Sequence, residues 1–481
     1  MANKNKFVKI SPEDFNRNFA DIHPPLTANS AVIEASRCLF CFDAPCTIAC
    51  PTHIDVPKFI KKIATGNLRG SARTVLEANI LGASCSRVCP VEVLCEGACV
   101  MNHHNEKPIQ IALLQRHAMD WANDHQFHPF VPGRANGRKV ACIGGGPASL
   151  ACAAELAQLG YAVTIFERKP LAGGLNTYGI AEYKLTPTDS LREVEFVRKL
   201  GVKFECGVEI GGHSSGAKRD SISPSVLRRV SLQSLEQDFD AIFVGIGLGD
   251  THDLEIPGEH LDGVVDALTF IEDYKTNRTR CKVGKRVSVI GAGNTAIDAA
   301  TAAVRLGAPE VRMVYRRSEK EMPAFAYEYE LAKRDGIIFS WQTQPVKIHG
   351  NRTVEKLECV TMHLGRPDKT GRRRPEPVPR SKFFIDCDMV IKSLGQTQHE
   401  DFLKAIPRLE RSRDGRVVVD EITYQTSNPR FFAGGDCING GQEVVDAVAD
   451  GKKAAHGIEA WIQTKVSKRS DGGSLHRGEV R

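Results

Sequence analysis

A chain of 481 residues has room for about three domains of ordinary size. Its 42% hydrophobic and 25% charged residues are those of a globular protein, and its net charge of +6, from 64 basic and 58 acidic side chains, is too mild to call for nucleic acid or an anionic membrane as partner. The start, MANKNKFVKI, has neither the apolar core nor the small-residue cleavage site of a signal peptide, and no apolar run approaches the roughly 20 residues of a membrane span. The expectation is a soluble, cytoplasmic protein with no nucleic-acid and no membrane partner.

The first informative stretch is RCLFCFDAPCTIACP. Fifteen cysteines do not read as a disulfide framework here, because the cytosol keeps thiols reduced. Eight fall between Cys38 and Cys99, and the other seven are scattered singly and read as small packing residues. Cys38, Cys41, Cys46 and Cys50 form one group, and Cys85, Cys89, Cys95 and Cys99 the other. Thiolates are soft ligands that suit zinc or iron–sulfur clusters. Zinc sites usually show two separated knuckles, whereas this run is unbroken and ends in Cys-Pro, as in bacterial ferredoxins, with a middle spacing of four in place of two. There the last cysteine of a run serves the other cluster, so two groups of four predict two interlocked [4Fe–4S] clusters, with zinc as the alternative. Between the groups, VPKFIKKIATGNLRGSARTVLEANI carries apolar residues at helical spacing. The prediction is a small helical domain, too polar to hold together well by apolar burial alone, which loss of iron unfolds.

After the turn-rich FHPFVPGRANGRK, the stretch VACIGGGPASLACAAELAQLGYAVTIFERK reads as strand, glycine turn, helix, strand and acid. Gly144 makes the tight turn, Gly146 lets the backbone approach a pyrophosphate, and the helix from Pro147 and Ala148 directs its positive N-terminus at those phosphates. Glu167 is placed to accept from a ribose hydroxyl. Ser149 stands where glycine or alanine is usual, a departure expected to loosen helix–strand packing slightly. The plan recurs in RVSVIGAGNTAIDAATAAVRLGAPEVRMVYRR, with Gly291, Gly293 and Ala296 as its fingerprint and Asn294 and Thr295 opening the helix. Its second strand ends in Arg316 and Arg317 instead of an acid. Two guanidinium groups suit the 2′-phosphate of NADPH; if they face solvent, NADH is the alternative. A third segment, TSNPRFFAGGDCINGGQEVVDAVADGKKAAHGIEAW, resembles the closing element of two-dinucleotide flavoproteins. On that resemblance Gly435 and Asp436 hold FAD, and Gln442 to Val445, Val444 included, lie beside its ring.

From about residue 30 to 465 the chain is similar to the family holding the glutamate synthase small subunit and the N-terminal half of dihydropyrimidine dehydrogenase. The shared marks are RCLFCFDAPC, CPTHIDVPKFI, CSRVCPVEVLCEGAC, GGGPASLACA, GGLNTYGI, GAGNTAID, YRRSEKEMPA and FFAGGD. The resemblance implies that Cys38, Cys41, Cys46 and Cys99 hold one cluster, and that Cys50, Cys89 and Cys95 supply three corners of the other. For the fourth corner it implies Gln115, sixteen residues after Cys99, with Cys85 as the competing thiol. It adds Gly174, Leu175 and Lys184 to the cofactor-holding residues.

The expected architecture is therefore α/β: an N-terminal helical iron–sulfur domain at 1–130, then two tandem Rossmann-like dinucleotide-binding domains. The FAD domain, at 138–270 and 391–465, is split by an NAD(P) domain inserted at 271–390, and 466–481 is a polar tail. GGHSSGAKRDSISPSVLRRV, at 211–230, reads as an inserted surface loop. No nucleophile–base pair is apparent, and hydride transfer needs none. The resemblance implies the electron-input subunit of a dihydropyrimidine dehydrogenase, oxidising NAD(P)H at FAD and feeding a separate catalytic subunit that carries FMN and iron–sulfur clusters and reduces uracil or thymine. A glutamate synthase small subunit, or a related reductase, is the alternative.

Overall fold

The computed structural model describes residues 7–211, 226–278, 281–367 and 373–472, the last seven by backbone alone. Of the expected insertion at 211–230, residues 212–225 lie outside the described residues, as do residues 473–481 of the expected tail. Among the described residues no helix is long and apolar enough to cross a membrane.

The chain divides into two compact units. One comprises His23–Thr177, Thr188–Gly249 and the chain from Gln398 onward. It begins with short capped helices. Asp55 accepts from Lys58 N to start Val56–Ala64, and Asn67 accepts from Gly70 N to start Leu68–Ala78. In the first, Val56, Phe59, Ile60 and Ile63 are buried at positions that share one helical face. They pack with Val75, Leu76, Ile111, Leu114 and Met119, and Val445 from the far end of the chain joins the same cluster. The front segment, expected to be too polar to hold together well by apolar burial alone, has a one-sided apolar layer that a residue of the flavin-fold helix joins. The same unit holds a parallel sheet ordered Phe431–Ala433, Ala241–Val244, Lys139–Ile143, Ala162–Glu167, Lys203–Cys206. The helices Pro147–Gln158 and Val444–Gly472 cover it, and they approach so closely that a Cβ on Gly451 would stand 2.0 Å from the Ala148 carbonyl oxygen. The second helix runs on to Gly472, past the expected domain end at 465.

The other unit comprises the residues up to Ile22, Tyr178–Pro187 and Asp250–Thr397. Its parallel sheet runs Ile338–Ser340, Glu310–Val314, Arg286–Ile290, Met389–Lys392, Val264–Asp266, beside an antiparallel sheet of Thr343–His349, Lys356–Pro367 and Arg373–Asp386. These limits differ from the sequence boundaries at 130, 270 and 390, for identifiable reasons. Phe15 and Phe19 pack with Tyr183 and Tyr274 in the core of this unit. The segment Tyr178–Pro187 is latched there by Lys275 Nζ, which donates to the carbonyls of Ile180 at 2.6 Å and Leu185 at 3.1 Å.

Candidate functional site

All fifteen cysteines are free thiols, and those of the two groups interleave. Cys38, Cys41, Cys46 and Cys99 line one cavity together with Leu39, Ile60 and Ile111. Cys50, Cys89 and Cys95 line a second, together with Cys85, Gln115 and Val445. Both cavities are partly open to solvent. Among the described residues no three His, Cys, Asp or Glu side chains are set to hold a single metal ion. Each cavity draws its thiols from both cysteine groups. Burial, then neighbouring Cys38, pushes the Cys46 thiol up to about 12. Burial, then Glu96 and Cys50, pushes Cys95 up, and the hydrogen bond with Cys85 and burial do the same to Cys89. Such thiols stay protonated near neutral pH unless a cation takes up their charge, as the iron of a cluster would.

Both candidates for the eighth ligand reach the second cavity. Gln115 is buried on the helix Ile111–Asp124, and its Nε2 donates to Gly82 O at 2.7 Å, which fixes the amide and leaves Oε1 as the free acceptor end. Cys85 Sγ accepts from Asn79 Nδ2 at 3.2 Å.

The two glycine turns allow a test of cofactor fit. Gly144 has φ +91° and its Cβ would meet Gly245 O at 2.4 Å; Gly291 has φ +130° and its Cβ would meet Ser393 O at 2.1 Å. The protein itself demands glycine at both positions. The second glycines differ. A Cβ on Gly146 would meet nothing nearer than Gly174 Cα at 3.8 Å, and one on Gly293 nothing within 4 Å. Their lack of a side chain is explained by the close approach of something that is not protein, and a dinucleotide pyrophosphate fits. Gly146 and Gly293 are also the N-caps of Pro147–Gln158 and Asn294–Arg305, neither with a side-chain cap, so the first N–H groups of both helices are left for phosphate.

Around the first turn, Glu167 Oε2 accepts from Gly145 N at 2.7 Å and Oε1 from Lys169 N at 2.8 Å, so the carboxylate braces the loop. Gly174 packs onto the turn, where its Cβ would lie 2.8 Å from Gly146 Cα, and Leu175 next to it is partly exposed. Ser149, expected to loosen helix–strand packing slightly, has no hydrogen-bond partner for its Oγ among the described residues. It is fully buried, and Gly245 across from it has no Cβ, which would otherwise stand 2.3 Å from Ser149 Oγ. Gly435 has φ +77° and Asp436 Oδ1 accepts from Gln442 N at 3.2 Å, while burial raises the Asp436 carboxyl. Gln442 is exposed, and Val444 packs partly against the core of the cysteine-rich segment.

In the other unit, Asn294 Oδ1 accepts from Phe325 N at 3.0 Å, Thr295 is half-buried and Ala296 is fully buried. Arg316 is exposed, and Arg317 is half-buried with its Nε lacking a hydrogen-bond partner. Lys184, counted by sequence with the cofactor-holding residues, stands in this unit with its ammonium already engaged, 2.7 Å from Asp298 Oδ1 and 2.6 Å from Glu328 Oε1. Sequence reasoning missed Asp450, which accepts from Gly435 N at 3.0 Å and Tyr424 Oη at 2.9 Å and so holds the Gly-Asp turn. Its only signal was an acid four residues beyond Asp446 in the closing helix.

Two dinucleotide folds behind a cysteine-rich helical segment define a flavoprotein-type oxidoreductase with an iron–sulfur front. Residues 138–451 match the family model of the pyridine nucleotide-disulphide oxidoreductases, and residues 15–127 match that of dihydropyrimidine dehydrogenase domain II, 4Fe-4S cluster. The glutamate synthase [NADPH] small chain of Escherichia coli (strain K12) is 35% identical over 461 residues, which cover 92% of this chain and 94% of that one. The NADP(+)-dependent formate dehydrogenase subunit beta of Moorella thermoacetica is also 35% identical, over 87% of this chain and 60% of its own. Among solved structures, Mycobacterium tuberculosis FprA in complex with NADPH aligns with a TM-score of 0.55 and 19% identity, over 69% of this chain and 86% of that one, a likeness of fold. The chain belongs to the family of the glutamate synthase small chain, within the pyridine nucleotide-disulphide oxidoreductases.

Proposed function

We propose that this protein is the electron-input subunit of a glutamate synthase-type oxidoreductase, which uses NADPH, flavin and iron–sulfur clusters and serves a separate glutamate-forming subunit. The observation that carries the reading is that the eight expected ligands sort into two cavities of one compact unit with the first glycine turn. Bound FAD would take two electrons as hydride from the nicotinamide and release them singly to clusters that accept one each. The chain's own residues bind and orient. Gly144, Gly146 and Ala148 offer backbone to the flavin pyrophosphate at the helix that Pro147 opens, Glu167 braces that loop, and Asp436 stands at the mouth of the closing helix. Gly291, Gly293, Asn294 and Thr295 make the corresponding cradle for the nicotinamide dinucleotide, with Arg316 and Arg317 at its 2′-phosphate. Cys38, Cys41, Cys46 and Cys99 hold one [4Fe–4S] cluster; Cys50, Cys89, Cys95 and Gln115 hold the other.

A second reading, the input subunit of a dihydropyrimidine dehydrogenase, is favoured by the family match over 15–127 and by Gln115 at the second cavity. Purification with the native partner decides between them. Glutamate formed from glutamine and 2-oxoglutarate supports the first reading. NADPH-dependent reduction of uracil by a partner carrying FMN and iron–sulfur clusters supports the second and defeats the first. A partner active with neither pair leaves only the broader reductase assignment standing.

A further inference from the structure

The helix Gly82–Val88 separates two candidate ligands of the second cavity: Cys85 lies within it and Cys89 is its C-terminal cap. The residue at its N-cap, Leu81, has no side chain able to accept a hydrogen bond, and the first N–H groups of a helix need partners when buried. The partner comes from the flavin fold. Glu193, on the helix Pro187–Arg198 and itself buried, accepts from Ala83 N at 2.9 Å and Ser84 N at 3.0 Å through Oε1, and from Ser84 Oγ through Oε2. Three donors on one carboxyl make a cap supplied about 110 residues away in the chain. The far end of the helix is gripped as well. Arg87 Nη2 donates to Asp120 Oδ1 at 2.6 Å, and Arg87 Nε lies 3.9 Å from Asp189 Oδ2 on the helix that carries Glu193. The carbonyl of Gly82, in the capped first turn, is the group that holds the Gln115 amide.

We propose that Glu193 is a positioning residue for the second cluster: capping Gly82–Val88 from the flavin fold, it sets where Cys89 and Gln115 stand against that cluster and ties their position to the flavin-binding sheet. This rests on the reading of the second cavity as a [4Fe–4S] site. A cap serving stability alone would act on the whole unit. A positioning cap acts on one cluster and leaves the other as an internal reference, because no first-cavity thiol lies on this helix.

The test uses the full chain, reconstituted anaerobically with iron and sulfide, as wild type, Glu193→Gln, Glu193→Ala and, as control, Glu195→Gln, whose exposed side chain pairs with Arg198 on the same helix. Electron paramagnetic resonance of the reduced proteins is followed through a potentiometric titration, and the second cluster's signal is assigned by its absence from Cys95→Ser. Glu193→Gln is expected to keep flavin and both signals, with the second cluster alone shifted in potential. Glu193→Ala is expected to lose or broaden the second signal and keep the first, with the control at wild type. Wild-type signal and potential at the second cluster in both Glu193 variants overturn the proposal. Parallel loss of flavin and both signals in Glu193→Gln overturns it too, and that isosteric variant decides the matter if the alanine variant does not fold. A wild-type protein with no cluster signal overturns the functional reading and this inference with it; normal wild-type signals with unaffected variants overturn the inference alone.

Discussion

The two glycine turns are nearly the same device, and their surroundings differ in what they leave free. At the first, Glu167 spends both carboxylate oxygens on the backbone of its own loop, so the acid at the end of the second strand works as a brace. At the second, the corresponding strand end carries Arg316, exposed, and Arg317, whose Nε is unpartnered. A closed, braced turn suits a dinucleotide that stays; an open turn with free guanidinium groups suits one that comes and goes. Their common feature is the second glycine, where a Cβ would meet no described protein atom closer than 3.8 Å.

The largest effects should come from filling those empty positions. Gly146→Val should yield protein without flavin. Gly293→Val should keep flavin and lose its reduction by NADPH. Loss of flavin from both in absorption spectra would break the distinction between the turns. Next is a second latch on Tyr178–Pro187, the ion cluster of Lys184 with Asp298 and Glu328, which acts beside the Lys275 contacts. Lys184→Met leaves Asp298 and Glu328 buried without their cation and should cost about 3–5 kcal/mol, read as a lowered midpoint in denaturant unfolding. An unchanged midpoint would contradict the latch. Smaller, Arg316→Glu should lower kcat/KM for NADPH roughly 10- to 100-fold, the worth of a charged hydrogen bond, with NADH little changed. Equal losses for both nucleotides would remove the 2′-phosphate role. Smallest should be the response of the helices to iron removal. The apolar cluster that includes Phe59, Leu114 and Val445 keeps the front segment helical, so chelation should change the far-ultraviolet circular dichroism little while exposing the thiols to alkylation. A large helical loss would restore the metal-dependent folding expected from sequence.

What the sequence displayed were patterns within a few tens of residues. The glycine turns, the closing Gly435-Asp436 and the grouping of Cys38, Cys41 and Cys46 are local, because a tight turn or a loop of ligands is set by neighbours in the chain. Pairings over long separations carried no such mark. Phe15 and Phe19 read as part of the helical front, and only their packing against Tyr183 and Tyr274 moves them to the other unit. Ser149 read as a departure from the pattern, and Gly245, which leaves room for its Oγ, lies almost a hundred positions on. Glu193 carries no mark in the sequence, and its cap on Gly82–Val88 needs both partners in view. The family marks supplied the division of ligands between two clusters, and the cavities group the side chains in the same way.

The central claim is that the thiols of the two groups interleave to hold two separate clusters beside the flavin fold. The direct measurement is electron paramagnetic resonance of the anaerobically reconstituted, photoreduced chain, compared with Cys46→Ser and Cys95→Ser. The account predicts two signals in the wild type, one missing from each variant. A single signal abolished by either substitution, or two signals that both survive in either variant, would contradict it.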